Sequence, residues 1–156
     1  VRDEEPTLAF MAQLGWKEIA REGNRVRTAV NGGGLGRLID VIVDPQRPQG
    51  INGLGTVHHV AMAIETGEQQ RELRDQLLAQ GVKVTDIRDR CYFTSIYFRE
   101  PSGVLFELAT DGPGFAIDEP AESLGCSLRL PRQHEHLRPL LEERLAPIPD
   151  PWAPYR

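Results

Sequence analysis

The sequence has few of the features that mark secreted, membrane or nucleic-acid-binding proteins. Its two cysteines, Cys91 and Cys126, are too few for a disulfide framework and argue against a cysteine-ligated zinc site. No apolar run reaches the length of about 18 residues that a membrane-spanning helix needs. Acidic residues outnumber Lys and Arg by 23 to 18, and the basic residues are scattered rather than clustered. We therefore expect a cytoplasmic protein that binds neither membranes nor nucleic acid.

The first ten residues, VRDEEPTLAF, lack the positive region and long apolar segment of a secretory signal. They have the pattern of a helix start, and position 1 is not Met. We expect the natural protein to begin upstream of this position.

An internal repeat of about 66 residues organises the chain. AQLGWKE at 12–18 is similar to LAQGVKV at 78–84, and GRLIDVIVD at 36–44 is similar to GVLFELATD at 103–111. The pattern predicts two copies of one supersecondary unit.

The second copy is the more complete of the two. Leu73, Leu77 and Leu78 are predicted to form the apolar face of a helix that Gly81 ends. The predicted order is strand, helix and three strands, at 56–64, 67–80, 82–88, 93–99 and 104–110.

The first copy lacks the opening strand. Pro6 is predicted to begin its helix, which carries Leu8, Met11 and Leu14 on one face. Its three strands are expected at 16–21, 25–31 and 37–43.

The predicted fold is therefore α+β with paired βαβββ modules. The chain divides into an incomplete module at 1–44, a linker at 45–55, a complete module at 56–111 and a C-terminal extension at 112–156. In the extension, a short helix near 134–145 is followed by a proline-rich tail. The extension is expected to cap the second module or to cover a site.

Two adjacent histidines, His58 and His59, begin the apolar run TVHHVAMAI. Because a strand sends alternate side chains to opposite faces, His59 shares a face with Ala61 and Ala63, and a regular strand points His58 away from it. The opposite face, with bulky Val60, Met62 and Ile64, should pack on helices. His59 is then expected to face a cavity across small alanines.

Glu107 lies in the middle of the apolar strand GVLFELAT, opposite the face of Val104, Phe106 and Leu108. A buried carboxylate is costly unless it is paired, hydrogen-bonded or bound to metal. Tyr97 is expected to share its face across the hairpin. A His and a Glu are two members of the 2-His-1-carboxylate set that binds non-haem Fe(II), although Glu107 could instead pair with an arginine such as Arg99.

Several motifs give the chain a family resemblance. The segments GTVHHVAMAI, DRCYFTSIYFREPSGVLFELATDGPGF and DEPAESLG resemble the vicinal oxygen chelate superfamily of glyoxalases and extradiol dioxygenases, and most narrowly the C-terminal half of the para-hydroquinone ring-cleaving dioxygenases. The resemblance implies an Fe(II)-dependent dioxygenase that acts on a hydroquinone or catechol-like aromatic and O₂. Mn, Zn and Ni are the alternative metals.

The resemblance also implies residue roles. His59 and Glu107 match metal ligands, whereas His58, Arg90 and Tyr97 match residues around the metal that act on substrate oxygen or in proton transfer. The remaining family ligand lies in a first module that this sequence does not contain. An incomplete metal site is therefore expected, to be completed by the N-terminal half of the same protein or by a homo-oligomer partner. The fragment alone is expected to be inactive.

Two other functions stay open. A glyoxalase-type isomerase or lyase would use the same fold with another divalent metal, and a metal-free module of the fold would only bind a small molecule. Among the remaining polar residues, Asp40 occupies the position in the first copy that Glu107 occupies in the second, and we expect a structural role for it. His134 and His136 are expected to be exposed, and Cys91 to be a buried, inert thiol.

Overall fold

A computed structural model of the chain describes residues 1–48 and 50–147. The remaining linker residue and the last nine positions, which hold most of the predicted proline-rich tail, lie outside the described residues. The elements in chain order are α1 (Glu4–Gln13), β1 (Lys17–Glu22), β2 (Arg25–Ala29), β3 (Leu38–Ile42), β4 (Val60–Ile64), α2 (Gly67–Ala79), β5 (Arg88–Asp89), β6 (Thr94–Arg99), β7 (Leu105–Thr110) and α3 (Arg138–Arg144).

The strands form two sheets that follow the predicted repeat. In the described residues, the first sheet has three antiparallel strands in the order β1-β2-β3, and the second has four in the order β4-β7-β6-β5. β4 pairs with β7 in parallel, and the other pairs are antiparallel. The α+β class and the paired arrangement with a first module of three strands are as predicted.

Helix α1 begins earlier than predicted. The Asp3 side chain accepts a hydrogen bond from the backbone N–H of Glu5, so that the helix begins at Glu4. Pro6 lies in the first turn, where a missing N–H costs nothing. The prediction that Pro6 opens the helix is therefore wrong by two residues, because Asp3 caps the helix ahead of the proline.

Helix α2 has the predicted position, but one of its predicted core residues is exposed. Thr66 and Gln69 form a capping box at its start, and Gly81 follows its end with φ +80°. Leu77 is 1% exposed and Leu73 packs against the core, whereas Leu78 is 40% exposed. Each residue of an α-helix is rotated by about 100° from the one before it, so that Leu78, which follows Leu77, lies off the buried face.

Several predicted strands are shorter in the structure. Residues 56–59 precede β4, which begins at Val60. The predicted strand at 82–88 is reduced to β5 and an isolated bridge between Val84 and Phe98. Val104, predicted on the buried face of the last strand, precedes β7 and is exposed. The predicted helix near 134–145 is a 3₁₀ turn at Arg132–Leu137 followed by α3.

The two copies share one hydrophobic core. The rings of Phe10 from α1 and Phe98 from β6 lie 5.8 Å apart. The hydroxyl of Thr7 donates to Glu100 Oε2 at 2.8 Å, and both residues are buried. The main core residues come from both copies, namely Phe10, Met11, Trp16, Val26, Val41, Leu77, Ile96, Phe98, Phe106 and Leu108. The open face of the second sheet, opposite this core, carries the candidate site.

Candidate metal centre on the second sheet

Glu107 lies in the middle of β7 and is 3% exposed. The strand pairing places it opposite Tyr97 on β6 and Ala61 on β4. Its Oε1 accepts a hydrogen bond from the Tyr97 hydroxyl at 2.6 Å, and its Oε2 lies 2.8 Å from His59 Nε2. The expected placement of Tyr97 on the face of Glu107 is confirmed. The alternative partner Arg99 donates instead to the carbonyl of Gly103 at 2.6 Å.

His59 reaches Glu107 from the residue that precedes β4. Along β4, Ala61 and Ala63 are exposed whereas Met62 is half-buried and accepts a hydrogen bond from Trp16 Nε1 at 3.3 Å. The small side chains of the open face leave room for the imidazole, which is one-third exposed. The predicted division of β4 into an open alanine face and a packed face is confirmed.

His58 does not point away from His59. The two Nδ1 atoms lie 2.8 Å apart, and the rings are perpendicular with their centroids 5.1 Å apart. The prediction of opposite directions is wrong because both histidines precede the first residue of β4, where strand alternation does not apply. One imidazole N–H must therefore donate to the other ring.

Arg90 completes a continuous line of polar contacts. Its Nη2 donates to the Tyr97 hydroxyl at 3.2 Å, and its Cζ lies 5.4 Å from the centre of the Tyr97 ring. The guanidinium is exposed. The structure thus brings together all five residues singled out in the sequence, in the order His58, His59, Glu107, Tyr97 and Arg90.

The equivalent position in the first sheet is filled differently. Asp40 pairs with Arg27 as Glu107 pairs with Tyr97. The guanidinium groups of Arg27 and Arg25 lie 2.7 and 2.8 Å from the Asp40 carboxylate and hold its pKa well below the usual range. Asp40 is thus engaged in ion pairs within its own sheet, which fits the expected structural role.

Among the described residues, His59 and Glu107 bring one imidazole nitrogen and one carboxylate oxygen to within 2.8 Å of each other. Within residues 1–48 and 50–147, no group of three or more His, Cys, Asp or Glu side chains could hold a metal ion. His134 and His136 are exposed, as expected. The same described residues contain no helix that is long and apolar enough to cross a membrane.

Sequence reasoning missed the support of the turn that carries Arg90. Cys91, expected to be buried, is half-buried and adopts φ +67°. Tyr92 donates to Asp118 Oδ2 at 3.0 Å and stacks on the ring of Phe115. The aromatic pair Tyr92-Phe93 beside Arg90 could have indicated a packed turn. Its partners, however, lie more than twenty residues further along the chain and leave no local pattern.

Known proteins provide relatives of most of the chain. A Bacillus subtilis protein named "Putative ring-cleaving dioxygenase MhqO" is 42% identical over 86% of this chain and 43% of its own length. The chlorohydroquinone/hydroquinone 1,2-dioxygenase of Sphingobium indicum is 35% identical over 96% of this chain and 46% of its own length. The chain therefore spans less than half the length of these relatives.

Solved structures agree with these matches. A crystal structure of a "putative dioxygenase" from Bacillus subtilis has a TM-score of 0.87 and 38% identity, and it covers 95% of this chain and 47% of its own. FosX of Listeria monocytogenes, a fosfomycin resistance protein solved with Mn(II) and sulfate, has a TM-score of 0.53 and 25% identity over 70% of this chain and 82% of its own.

A family model covers most of the chain. Residues 1–108 match the model of the Glyoxalase/Bleomycin resistance protein/Dioxygenase superfamily. These residues include the first sheet, the second sheet except for the last two residues of β7, and every member of the line from His58 to Arg90. The chain belongs to the glyoxalase/bleomycin resistance protein/dioxygenase superfamily.

Proposed function

We propose that this chain is part of a metal-dependent ring-cleaving dioxygenase and supplies two metal ligands, His59 and Glu107. The observation that carries the proposal is the approach of His59 Nε2 to the buried Glu107 carboxylate, at 2.8 Å on the open face of the second sheet. The names of the Bacillus and Sphingobium relatives support ring cleavage. The name of the latter favours a hydroquinone-type substrate.

The two donors fit the proposed metal. An imidazole and a carboxylate belong to the ligand set of non-haem Fe(II), and they also suit Mn, Zn or Ni. When bound at His59 and Glu107, Fe(II) supplies open coordination positions for a substrate oxygen and O₂. The third protein ligand would come from a part of the protein outside this chain or from a second copy.

The neighbouring side chains have distinct proposed roles. The Tyr97 hydroxyl occupies Glu107 Oε1 and so leaves Oε2 directed toward His59. The exposed Arg90 guanidinium would stabilise negative charge on a substrate oxygen. His58 contacts Nδ1 of His59, the nitrogen that does not face Glu107. A ligating imidazole donates a hydrogen bond from its other ring nitrogen, here to His58; that bond fixes its orientation, and losing it typically costs about 10- to 100-fold in metal affinity.

Metal analysis and O₂ uptake test the proposal. The full-length protein is loaded with Fe(II) and assayed with hydroquinone and with catechol. His59→Ala is expected to abolish both iron retention and O₂ uptake, whereas His134→Ala, which changes an exposed histidine, should keep both. If His59→Ala leaves activity intact, the assignment is wrong.

The isolated chain provides a second measurement. Two ligands should hold Fe(II) weakly, and no turnover is expected. Tight binding of one iron per chain would contradict the proposed origin of the third ligand outside these residues.

A further inference from the structure

The turn that carries Arg90 has little support from its own strands. It connects β5, which is only two residues long, to β6. Within the turn, the backbone N–H of Arg90 donates to the Phe93 carbonyl at 2.9 Å, and the N–H of Cys91 donates to Asp89 Oδ1 at 2.7 Å. Cys91 has the left-handed backbone conformation, which is unfavourable for residues other than glycine. Such a turn depends on outside contacts to keep its conformation.

The C-terminal extension provides these outside contacts. The N–H of Gly114 donates to the Tyr92 carbonyl at 2.7 Å. The Phe115 ring stacks on Tyr92 with the centroids 5.0 Å apart. Further along, Asp118 Oδ2 accepts from the Tyr92 hydroxyl at 3.0 Å. Partial burial, together with the Asp118 carboxylate, raises the pKa of Tyr92 and keeps its hydroxyl as a hydrogen-bond donor.

We propose that Asp118 is a positioning residue for Arg90. By holding Tyr92, it fixes the turn, and the turn places the Arg90 guanidinium at the Tyr97 hydroxyl beside Glu107. Residues 112–118 of the extension thus support the proposed metal centre. They do so indirectly, because none of their side chains contacts His59, Glu107 or Tyr97 in the described hydrogen bonds and ion pairs. This inference rests on the proposed function, in which Arg90 acts on substrate charge.

Activity measurements on the full-length, Fe(II)-loaded protein test the proposal. Because small displacements of a charged group lower the rate steeply, Asp118→Ala is expected to lower kcat about tenfold. Asp118→Asn keeps an oxygen that accepts from Tyr92 and should retain most of the activity. Glu122→Ala removes an exposed acid from the same segment and should change nothing.

A double-variant comparison separates positioning from general damage to the fold. Arg90→Gln removes the charged guanidinium that is proposed to act on the substrate and keeps a side chain of similar length. If Asp118 acts through Arg90, adding Asp118→Ala to Arg90→Gln should lower kcat less than twofold further, because variants that remove the same interaction are not additive. A full additional tenfold loss would overturn the proposal.

Hydrogen exchange in the 156-residue chain gives a result that does not depend on activity. In Asp118→Ala, the amides of residues 90–93 are expected to exchange about fivefold faster, since one hydrogen bond to an exposed carboxylate is lost. Unchanged exchange would refute the mechanical part of the inference. If the unaltered full-length protein shows no O₂ uptake, the proposed function fails, and the exchange result alone then decides whether Asp118 holds the turn.

Discussion

Replacing Tyr97 with Phe removes one hydroxyl and leaves the ring in place. The hydroxyl donates at 2.6 Å to Glu107, a carboxylate that is 3% exposed. A hydrogen bond to a charged group contributes about 1.5–3 kcal/mol, and little water can replace it at this depth. The contact from the exposed Arg90 is also lost, but an exposed pairing of this kind contributes little. Tyr97→Phe is therefore expected to lower the free energy of unfolding by about 2 kcal/mol.

The matched control is Tyr92→Phe. Tyr92 is also half-buried and also donates to a carboxylate, but its acceptor Asp118 is exposed, so that water replaces part of the bond. The expected loss in the free energy of unfolding is about 1 kcal/mol. For a chain of this size, the two variants should lower Tm by about 4–8 °C and about 2–4 °C respectively.

Thermal and urea unfolding of the metal-free chain measure both values. Equal destabilisation by the two variants would refute the argument that burial of Glu107 makes its hydrogen bond with Tyr97 strong. A matching result would show that Tyr97 stabilises the carboxylate before any metal binds. The Glu107 carboxylate would then be oriented by Tyr97 before a metal binds, and the same hydrogen bond would stabilise the fold measurably.

Three further predictions concern the fold around the site. Thr7→Val removes the hydroxyl that donates to buried Glu100, and should lower the free energy of unfolding by about 1.5–3 kcal/mol in urea titrations. Leu77→Ala should cost about 2–5 kcal/mol by the same measurement, whereas Leu78→Ala, at a 40% exposed position, should cost under about 1 kcal/mol. The pKa of Asp40 is lowered on folding. Its contribution to the stability of the fold is therefore present above the ordinary Asp pKa and is lost as the pH falls through the lowered value. The Tm difference between the unaltered chain and Asp40→Asn should shrink below about pH 4.

The proposed metal centre links these predictions to function. Glu107 is buried before any ion is present, and its two oxygens already have separate partners. His59 approaches one oxygen and Tyr97 holds the other. A site of this kind needs few rearrangements to accept a cation, which is the condition for efficient stabilisation of developing charge.

Much of the site could be predicted because its main residues follow local rules. The alternation of apolar residues along β7 places Glu107 on the face opposite Phe106 and Leu108. The short hairpin then brings Tyr97 onto the same face. Periodicity and turn length are properties of neighbouring residues, so they can be read without knowledge of the rest of the fold.

Other features could not be predicted because they depend on where regular structure begins or on distant contacts. The direction of His58 follows from the start of β4 at Val60, which pairing with Phe106 of β7 fixes. The bond between Thr7 and Glu100 joins residues 93 positions apart, and the bond between Tyr92 and Asp118 spans 26. Neither pair leaves a local pattern in the sequence.

The sequence by itself determined the order of helices and strands, the open face of the second sheet and the placement of His59 and Glu107 on it, because alternation and helical periodicity depend only on near neighbours. The tertiary structure alone decided that His58 lies against His59, that both copies share one core and that the C-terminal extension holds the Arg90 turn. These contacts depend on how distant segments pack, and packing is a property of the whole folded chain.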